Sequence, residues 1–460
     1  MAKICVPVCV RHPDEMRDAI AAAARVGDIV ELRADCLVDP HAAVSFLHES
    51  ARVIERPLIV TMRSPEQGGR AEIDYQTRRE FWSALAHSNA GYFIDLELDM
   101  VQDFASLESA KLPVDWSRVI CSHHDFTRVP DDLEKIFEVM TATPAGIIKI
   151  AVQTDDALDC LSIFKLLERS QAERRELIAI GMGDAGVMTR ILGPSRGSFL
   201  TYASLGEESG TAPGQLTAKD LREVYRIDHI DPDTQVFGIM GQPVGHSLSP
   251  RIHNAAFAAG NLNAVYLPLE VRDALQFIRR MAHPKTRELD WKLGGLSVTA
   301  PHKSTVMQTL DWIEPAAKEI GAVNTIVARD DQLRGYNTDA AGFISSLRNG
   351  FGSLKSARCA IIGAGGAARA CSWALSEQGA DVTILARDIR KAQSLADRFG
   401  AKYRELSGAA YGDFDVVVNA TPLGTRGQLE NETPATAEQL SEVRLAYDLV
   451  YNPIETLFIR

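Results

Sequence analysis

The segment "GIIKIAV" (residues 146–152) decides how the first half of this sequence folds. Its unbroken run of β-branched and apolar residues is typical of a strand that is covered on both faces. Strands of that kind pair in parallel and are joined by helices that cover the sheet. Lys149 is the exception in the run, because it places a charged amine on the same strand face as Ile147 and Ala151.

Seven further runs of this kind occur within the first 205 residues. Segments between them, such as "DDLEKIFEVM" (131–140), carry apolar residues at three- and four-residue steps and predict amphipathic helices. Eight strand–helix units favour a closed (β/α)₈ barrel over an open sheet. The predicted strands are 3–10, 28–34, 57–63, 92–98, 118–124, 146–152, 176–183 and 197–205.

The second half of the sequence has a different organisation. The strand pattern weakens after residue 206, resumes with runs at 235–240, 264–271, 293–299 and 324–330, and then gives a strand, glycine turn, helix and strand over 357–388. The last order is typical of a Rossmann unit. We therefore predict an α/β protein with a barrel over 1–228, a smaller lobe over 234–340 and a Rossmann lobe over 341–460.

Composition and charge exclude several classes of protein. The 460 residues carry a formal charge of −12, which argues against a surface that binds nucleic acid. No run of 18 apolar residues occurs, and the opening "MAKICVPVCV" is too short for a signal peptide, so neither a membrane partner nor export is expected. We expect a cytoplasmic protein. The oligomeric state is left open.

The cysteines favour a reduced protein. Seven are present, an odd number without a CxxC pair, and most stand in apolar runs. They are predicted to be small buried thiols, with neither a disulfide framework nor a metal site.

Polar residues at the strand ends predict an active site, because the loops after the strands of such a barrel meet at one face. Any one of them alone is more often a structural charge, but together they are expected to converge. They are Glu31, Arg33, Arg63, His124, Lys149, Arg190, Thr211 and Gln215.

Lys149 has two interpretations from the pattern alone. Burial and neighbouring cations both disfavour an ammonium ion, and a neutral amine attacks a ketone to form a Schiff base. Alternatively, the side chain extends to the barrel rim or forms an ion pair with Glu97. Periodicity does not separate these interpretations.

The segment "IIGAGGAARA" (361–370) predicts a dinucleotide site. It follows a strand pattern and opens a helix, and its G-x-G-x-x-A spacing allows a pyrophosphate to approach the helix N-terminus. The residues of this turn are Gly363, Gly365, Gly366, Ala367 and Ala368.

Two later positions bear on the choice of nucleotide. Arg387, at the end of the next strand, suits the 2′-phosphate of NADP, although the adjacent Asp388 is the residue type of NAD-selective sites. The strand and loop "VVNATPLG" (417–424) place Asn419 and Thr421 near the nicotinamide end.

Six motifs of the first half, in order, resemble those of type I 3-dehydroquinate dehydratase. They are "ELRAD" (31–35), "TMRSPEQGG" (61–69), "CSHHDF" (121–126), "IIKIAV" (147–152), "GVMTRILGPSRGS" (186–198) and "TAPGQL" (211–216). The resemblance implies that Lys149 forms an imine with the C3 ketone of 3-dehydroquinate. It also implies that His124, directly before "DF", rather than His123, moves the protons that give 3-dehydroshikimate.

The same resemblance implies the binding residues. Glu31, Arg33 and Arg63 would contact the substrate hydroxyls, and Arg190 with Thr211 and Gln215 would hold its carboxylate and ring. One position departs from the family pattern, since Gln67 stands where a glutamate is usual and Glu66 precedes it. A neutral amide there is expected to lessen the electrostatic support of His124.

Five motifs of the second half resemble those of shikimate dehydrogenase. They are "GQPVGHSLSP" (241–250), "LSVTAPHK" (296–303), "GAVNTI" (321–326), "GYNTDAAG" (335–342) and "DLVYNPIET" (448–456). Lys303 and Asp339 stand in loops of this region; such a pair is usually an incidental ion pair, but both loops also carry hydroxyl and amide groups able to hold a polyol. The resemblance implies that this pair manages the proton at the C3 oxygen while NADPH reduces 3-dehydroshikimate to shikimate.

The resemblance further implies substrate contacts from the second half and return of the last segment to the smaller lobe. The contact residues are Ser247, Ser249, Thr299, Asn324 and Tyr451. Ser297 stands where asparagine is common. The family normally continues past "ETLFIR" into a helix that adds a glutamine to the ligand, whereas this sequence ends at Arg460. Either the sequence is cut short there or the substrate site of this half is incomplete, and reduced affinity is the expected consequence.

Together the two resemblances imply consecutive lyase and oxidoreductase steps on one chain. Two alternatives remain at this point. The second half could oxidise quinate, because quinate and shikimate dehydrogenases share these motifs. A regulator that senses such metabolites without turning them over should have lost Lys149, His124, Lys303 or Asp339, and all four are present.

Overall fold

The computed structural model describes residues 2–50, 56–86, 91–106, 115–206 and 210–460. The chain divides into two compact units, Met1–Ile239 with Ser247–Met281 and Arg287–Leu293, and Met240–His246 with Ala282–Thr286 and Gly294–Arg460. No helix among the described residues is long and apolar enough to cross a membrane.

Eight parallel strands form a barrel at the start of the first unit. In space they follow the order β7-β6-β5-β4-β3-β2-β1-β8. The ring closes where β8 pairs with β1 and Ser198, just before β8, bridges to Leu177 of β7. The strands are β1 Ile4–Val8, β2 Ile29–Arg33, β3 Leu58–Thr61, β4 Phe93–Glu97, β5 Val119–Asp125, β6 Ile147–Gln153, β7 Glu176–Met182 and β8 Thr201–Tyr202.

Helices follow the barrel strands, as the alternation of patterns predicts. Their apolar faces are buried; Leu133, Phe137 and Met140 of α5, for example, are 4% exposed or less. The prediction of a (β/α)₈ barrel is therefore confirmed. The helices are α1 Met16–Val26, α2 His41–Ser50, α3 Tyr75–Ala86, α4 Leu98–Ser106, α5 Leu133–Thr141, α6 Cys160–Ala172, α7 Val187–Leu192 and α8 Ala218–Glu223.

The barrel interior is filled by side chains from alternate positions of the strands. Ile147 and Ala151 of β6 belong to this cluster, together with Ile120 of β5 and Ile178 of β7. Because side chains two residues apart share a strand face, Lys149 lies between Ile147 and Ala151 inside the barrel.

The prediction that all seven cysteines are reduced is wrong for two of them. Cys9 and Cys36 form a disulfide with a Cα–Cα distance of 5.3 Å. They follow the paired parallel strands β1 and β2, whose carboxyl ends lie side by side, so residues 27 positions apart in sequence meet. The other five cysteines are free and buried.

After the barrel, the chain adds two further sheet regions. Strand β9 Gln235–Gly241, which belongs to the first unit up to Ile239, lies beside β10 Ala264–Glu270, with α9 Ser249–Ala259 between them in sequence and α10 Ala274–Phe277 after them. In the second unit four strands lie in the order β11-β13-β14-β12. They are β11 Leu293–Val298, β12 Trp312–Ile313, β13 Thr325–Arg329 and β14 Gln332–Tyr336, with α11 Pro315–Ile320 after β12 and α12 Asp339–Phe351 after β14.

The C-terminal region is a Rossmann-type sheet of five parallel strands. Their order is β17-β16-β15-β18-β19. The strands are β15 Arg358–Ile362, β16 Asp381–Ala386, β17 Lys402–Glu405, β18 Val416–Asn419 and β19 Leu445–Asp448, with helices α13 Gly366–Glu377 and α14 Ile389–Phe399. Apolar clusters cover both faces of the sheet, which confirms the prediction of a Rossmann lobe.

Candidate active sites

One cavity at the carboxyl ends of the barrel strands is lined by all eight polar residues predicted to converge there, from Glu31 to Gln215. The strand order explains this, because every one of the eight lies in or after a strand of the same ring. Further lining residues are Gln67, Gly68, Phe126, Ala151, Ile180, Met182, Tyr202 and Ala212.

Lys149 lies deep in this cavity and is 4% exposed. Its Nζ donates to Asp95 Oδ2 at 2.8 Å and to the Tyr202 hydroxyl at 2.9 Å, and lies 3.5 Å from Glu31 Oε1. The side chain therefore does not extend to the rim. The alternative ion pair with Glu97 is also wrong, because the Glu97 carboxylate accepts from Arg78 and from the Ser64 backbone instead.

Asp95 balances two buried cations. Its Oδ2 accepts from Arg63 at 2.9 Å and from Lys149 at 2.8 Å, while the buried Oδ1 has no partner within the described part of the chain. Burial by itself would raise the pKa of this carboxyl, but the charges of Arg63 and Lys149 outweigh it and hold the pKa below its usual value. The cations expected around Lys149 are present, but so is an acid that the sequence reasoning did not include.

Arg33 is held in place by a second buried acid. Its Nε and terminal NH2 donate to the two oxygens of Asp35 at 2.8 and 2.7 Å, a bidentate geometry. The same carboxylate accepts the backbone N–H groups of Arg63 and Arg70. Asp35 thus ties the loop after β3 to the end of β2.

Arg190 is a buried cation without a compensating acid among the described residues. It is 1% exposed, donates to the Pro213 carbonyl at 3.1 Å, and its Nε has no partner in the portion of the chain that the structure describes. Burial lowers the pKa of its guanidinium to about 10. A charge in this state is best satisfied by an anionic ligand, and Thr211 and Gln215 line the same cavity.

His124 is oriented by Gln67. The Gln67 Oε1 accepts the His124 backbone N–H at 2.9 Å and lies 3.3 Å from its Nδ1. Since that atom accepts from the backbone, we assign Nδ1 as a donor to it, which leaves the lone pair on Nε2. Burial, reinforced by Arg63 and Lys149, holds the pKa of His124 well below its usual value, so the ring is neutral at pH 7.

The neighbouring histidine faces away from this cavity. In the register of β5 with β6, Ser122 pairs with Lys149 and His124 with Ala151, whose side chains point into the barrel, while His123 pairs with Ile150. The strand alternation therefore favours His124 over His123 as the cavity histidine.

Two residues of the network, Asp95 and Tyr202, were missed from the sequence. Each stands within a strand-like run rather than at a strand end, and each had a detectable signal. Asp95 shares the inward strand face of Phe93, and Tyr202 is a hydroxyl-bearing residue in an apolar run.

The second unit carries the other candidate pair. Lys303 Nζ donates to Asp339 Oδ2 at 2.6 Å, and Asn324 Nδ2 donates to Asp339 Oδ1 at 2.7 Å. Asn324 also accepts the Thr338 backbone N–H at 2.9 Å, which holds the loop before α12. The lysine and aspartate side chains are 15% and 32% exposed, so a ligand can reach them.

The remaining predicted substrate residues are divided between the units. Thr299 and Tyr451 belong to the second unit, where Tyr451 is 59% exposed. Ser247 and Ser249 belong to the first unit, where the Ser247 hydroxyl accepts the Ser249 backbone N–H at 3.2 Å.

The glycine turn between β15 and α13 is shaped for close approach of a ligand. Gly363 has φ +120°, and a Cβ there would come within 2.9 Å of the Ala420 carbonyl oxygen. A Cβ on Gly365, the residue that caps α13, would meet nothing within 4 Å, so the backbone there is open. Ala368 is fully buried against the sheet, while Gly366 packs on the stem of Lys303. The residues therefore fit a dinucleotide pyrophosphate at the start of α13.

Arg387 and Asp388, the two residues that bear on the choice of nucleotide, have different surroundings in the structure. Arg387, directly after β16, is exposed. Asp388 instead caps α14, accepting the backbone N–H groups of Arg390 and Lys391 at 3.1 and 3.3 Å. The Asp388 carboxylate is therefore engaged in the helix cap. The neighbouring Arg387 carries the guanidinium that suits a 2′-phosphate.

Asn419 and Thr421 form a self-contained loop. The Asn419 amide donates to Asp448 and to the Leu423 carbonyl, and its oxygen accepts from both the backbone and the hydroxyl of Thr421. These bonds use the hydrogen-bonding capacity of Asn419, so it shapes the loop opposite Gly363.

The fold and the two sites define a class of protein, a barrel lyase with a buried amine joined to a Rossmann-type oxidoreductase. Models of three families match successive parts of the chain. Type I 3-dehydroquinase matches residues 4–232, the shikimate dehydrogenase substrate binding domain matches 239–326, and shikimate / quinate 5-dehydrogenase matches 346–447.

Similar proteins carry the same names. The chain is 34% identical, over 99% of its length and 77% of the relative, to the chloroplastic bifunctional 3-dehydroquinate dehydratase/shikimate dehydrogenase of Arabidopsis thaliana. It is 39% identical, over 49% of its length and 81% of the relative, to the shikimate dehydrogenase (NADP(+)) of Methanothermobacter thermautotrophicus. Shikimate 5-dehydrogenase of Thermus thermophilus, solved with NADP(H) and shikimate, is 35% identical with a TM-score of 0.42, and the match covers 49% of this chain and 82% of that one.

The chain belongs to the family of bifunctional 3-dehydroquinate dehydratase/shikimate dehydrogenases. It is therefore an enzyme with a lyase half and an oxidoreductase half. These relatives favour neither of the two alternatives, the quinate dehydrogenase and the metabolite sensor.

Proposed function

We propose that the barrel dehydrates 3-dehydroquinate through an imine on Lys149 and that the second half reduces the resulting 3-dehydroshikimate to shikimate with NADPH. The observation that carries the first step is the pairing of a buried amine with an uncompensated guanidinium, Arg190, in one cavity. That pair fits a small ligand with a ketone at one position and a carboxylate at another.

The dehydration uses the amine as an electron sink. Lys149 attacks the ketone, and the carbonyl oxygen leaves as water, so that the C2 proton becomes acidic. His124 takes that proton on Nε2 and returns it to the C1 hydroxyl, which leaves as a second water. Hydrolysis of the product imine consumes one water and restores the amine.

The cavity walls would hold the substrate next to Lys149 and His124. Arg190 would bind the carboxylate with Thr211 and Gln215 beside it, while Glu31, Arg33 and Arg63 would contact the hydroxyls. The acids that position Arg33 and Arg63 support this assignment, because they fix the direction of both guanidinium groups before the substrate enters.

In the second half, NADPH supplies a hydride when bound. The turn from Gly363 to Ala368 would hold its pyrophosphate, with Arg387 at the 2′-phosphate and the loop of Asn419 and Thr421 near the nicotinamide. Lys303 would donate a proton to the C3 oxygen as the ketone is reduced, and Asp339 would hold that lysine in place. Ser247, Ser249, Thr299, Asn324 and Tyr451 are the proposed substrate contacts.

We further propose that the parts of the chain correspond to these tasks. The barrel would extend over 1–228, the substrate lobe over 234–340 and the NADP lobe over 341–460, and the matched ranges of the three family models support these limits. We place the protein in the cytoplasm. Five buried free thiols support a reducing compartment, whereas the Cys9–Cys36 disulfide is unusual there.

Borohydride trapping tests the lyase assignment. The protein is incubated with 3-dehydroquinate, reduced with borohydride and digested, and the peptide masses are measured by mass spectrometry. We expect the mass of the reduced ligand on the peptide that contains Lys149. Ligand mass on another lysine, or on none, would show that the imine assignment is wrong.

A separate assay tests the oxidoreductase assignment. NADPH absorbance is followed with 3-dehydroshikimate, and NADH, NADP with quinate and NADP with shikimate serve as comparisons. We expect turnover with NADPH and 3-dehydroshikimate and, in reverse, with shikimate. Preference for quinate would overturn the substrate assignment, and preference for NADH would overturn the role of Arg387.

A further inference from the structure

The Lys149 amine must lose a proton before it can act. Its Nζ lies 2.8 Å from Asp95 Oδ2 and 3.5 Å from Glu31 Oε1, so a positive charge on the amine has two carboxylates beside it. An ammonium ion has no lone pair with which to attack a ketone. Within the described residues, the hydrogen bonds of Nζ to Asp95 and to the Tyr202 hydroxyl are the direct paths by which the protein can take this proton.

Asp95 is a poor destination for this proton. Its Oδ2 already accepts from Arg63, and although burial alone would raise the pKa of the carboxyl, Arg63 and Lys149 hold that pKa below its usual value. Protonating it would also leave the fully buried Arg63 without its charge partner.

The other hydrogen bond leads to a second acid. The Tyr202 hydroxyl accepts from Lys149 at 2.9 Å and donates to Glu31 Oε1 at 3.3 Å, and the Thr61 hydroxyl donates to the same oxygen at 2.8 Å. All four side chains are buried. Among the described residues Lys149 is the ion-pair partner of Glu31, and no guanidinium forms a salt bridge with it. Glu31 is thus the better acceptor.

Tyr202 itself does not store the charge. Burial, together with the nearby Glu31, raises the pKa of its phenol well above the usual value, so the hydroxyl stays protonated before and after the transfer. Its ring also packs under the amine, with Nζ 4.3 Å from the ring centroid, which keeps the hydroxyl beside the lysine.

On the basis of the proposed imine chemistry, we propose that Tyr202 is a catalytic residue that relays a proton from Lys149 to Glu31. One N–H bond of the ammonium breaks as an O–H bond forms on Tyr202. The original Tyr202 O–H bond breaks as an O–H bond forms on Glu31 Oε1. The result is a neutral amine, an unchanged phenol and a protonated Glu31, with no net change in charge.

The test measures the rate of imine formation in Tyr202→Phe, which keeps the ring and removes the hydroxyl. Saturating 3-dehydroquinate is mixed with enzyme and quenched with borohydride after milliseconds to seconds, from pH 6 to pH 10. We expect imine formation at pH 7 to slow by roughly 10²-fold, a typical contribution of a positioned proton-transfer group. The loss should shrink as the pH rises and solvent removes the lysine proton.

Two further variants separate the relay from a structural effect. Tyr225→Phe removes a hydroxyl from another buried tyrosine outside the cavity and should leave the rate unchanged. Glu31→Gln removes the proton acceptor and should slow imine formation at saturation to a similar degree. Because both residues act in one path, the double variant should lose no more than either single variant.

The outcomes are distinct. Wild-type kinetics in Tyr202→Phe, a loss that persists at pH 10, or losses that multiply in the double variant would each overturn the relay. All three leave the imine on Lys149 intact, since its end-point trapping does not depend on the rate. NADPH oxidation by the same samples reports on folding of the rest of the chain.

Discussion

The two candidate catalytic lysines of this protein, Lys149 and Lys303, differ in their burial and in their partners. Lys149 sits mid-strand, is 4% exposed and is surrounded by three oxygen partners from three other strands. Lys303 stands in a loop, its side chain is 15% exposed, and its amine donates to Asp339. A lysine that must become a nucleophile needs several neighbouring groups to take up its charge and its proton. A lysine that passes a proton needs one partner and access to the ligand.

Replacing Lys149 should have the largest effect. We expect Lys149→Ala to lower the dehydratase kcat on the order of 10⁶-fold, as for removal of other covalent nucleophiles, with the reductase kcat within twofold of the parent. Formation of 3-dehydroshikimate is followed by absorbance, and NADPH oxidation by the same sample. Lys219→Ala, a surface lysine whose side chain is 74% exposed, is the control. Substantial dehydration by the alanine variant would show that the buried lysine is not the nucleophile.

The reverse experiment uses Asp339→Asn. Loss of this carboxylate removes the charge that positions Lys303, so the reductase kcat should fall by about 10²- to 10⁴-fold while dehydration is unchanged. Asp330→Asn, at an exposed turn of the same unit, is the control. If the D339N reductase remains at the parent rate, this Lys–Asp pair is an incidental ion pair.

Arg190 should govern binding rather than chemistry. Arg190→Met removes the buried cation proposed to meet the carboxylate and should raise the dehydratase KM about 30-fold or more, the loss expected for truncating a buried charge partner. Thermal unfolding should occur at the same or a higher temperature, because the guanidinium has no acid to offset its burial. Arg196→Met, in the same motif but outside the cavity, should keep the KM. An unchanged KM in R190M would place the carboxylate elsewhere.

The smallest effect is expected at Gln67, where a substitution should change the pH dependence of the dehydratase kcat. The pKa of His124 is held well below its usual value, so the ring remains neutral until the pH falls through that depressed pKa. Gln67→Glu would place a carboxylate beside Nδ1 and raise that pKa. The acid limb of the dehydratase kcat should therefore move to higher pH, while the kcat on the plateau stays within a few-fold of the parent.

A matched control is available next to this position. Glu66→Gln changes a charge at an exposed neighbour and should leave the pH profile in place. An acid limb that stays where it is in Q67E would mean that another group titrates in the rate-determining step.

Much of this molecule could be read from its sequence. The eight strand runs, the helices between them and the glycine turn at 361–370 appear in the structure, since burial on both faces and the G-x-G-x-x-A spacing leave strong local patterns. The eight polar residues in or after the barrel strands line one cavity, because barrel topology brings the carboxyl ends of all the strands to one face.

Other features could not be assigned from local patterns alone. Asp95 and Tyr202 stand inside apolar strands, and Cys9 and Cys36 lie 27 residues apart. Asp388 left the nucleotide preference open in the sequence, whereas in the structure its carboxylate caps α14. Each depends on which strand lies beside which, or on where a side chain points, and periodicity along one chain does not contain that information.

From the sequence alone, Lys149 can be placed on the same face of a buried strand as Ile147 and Ala151, because alternation along a strand is a local property. That this face is the barrel interior, and which residues meet the amine there, follow from the tertiary structure. Asp95, Tyr202 and Glu31 come from three other strands of the ring, and their side chains reach Nζ only because closing the barrel points all of them to one axis. The charge balance of the buried lysine, and the path for its proton, are consequences of that closure.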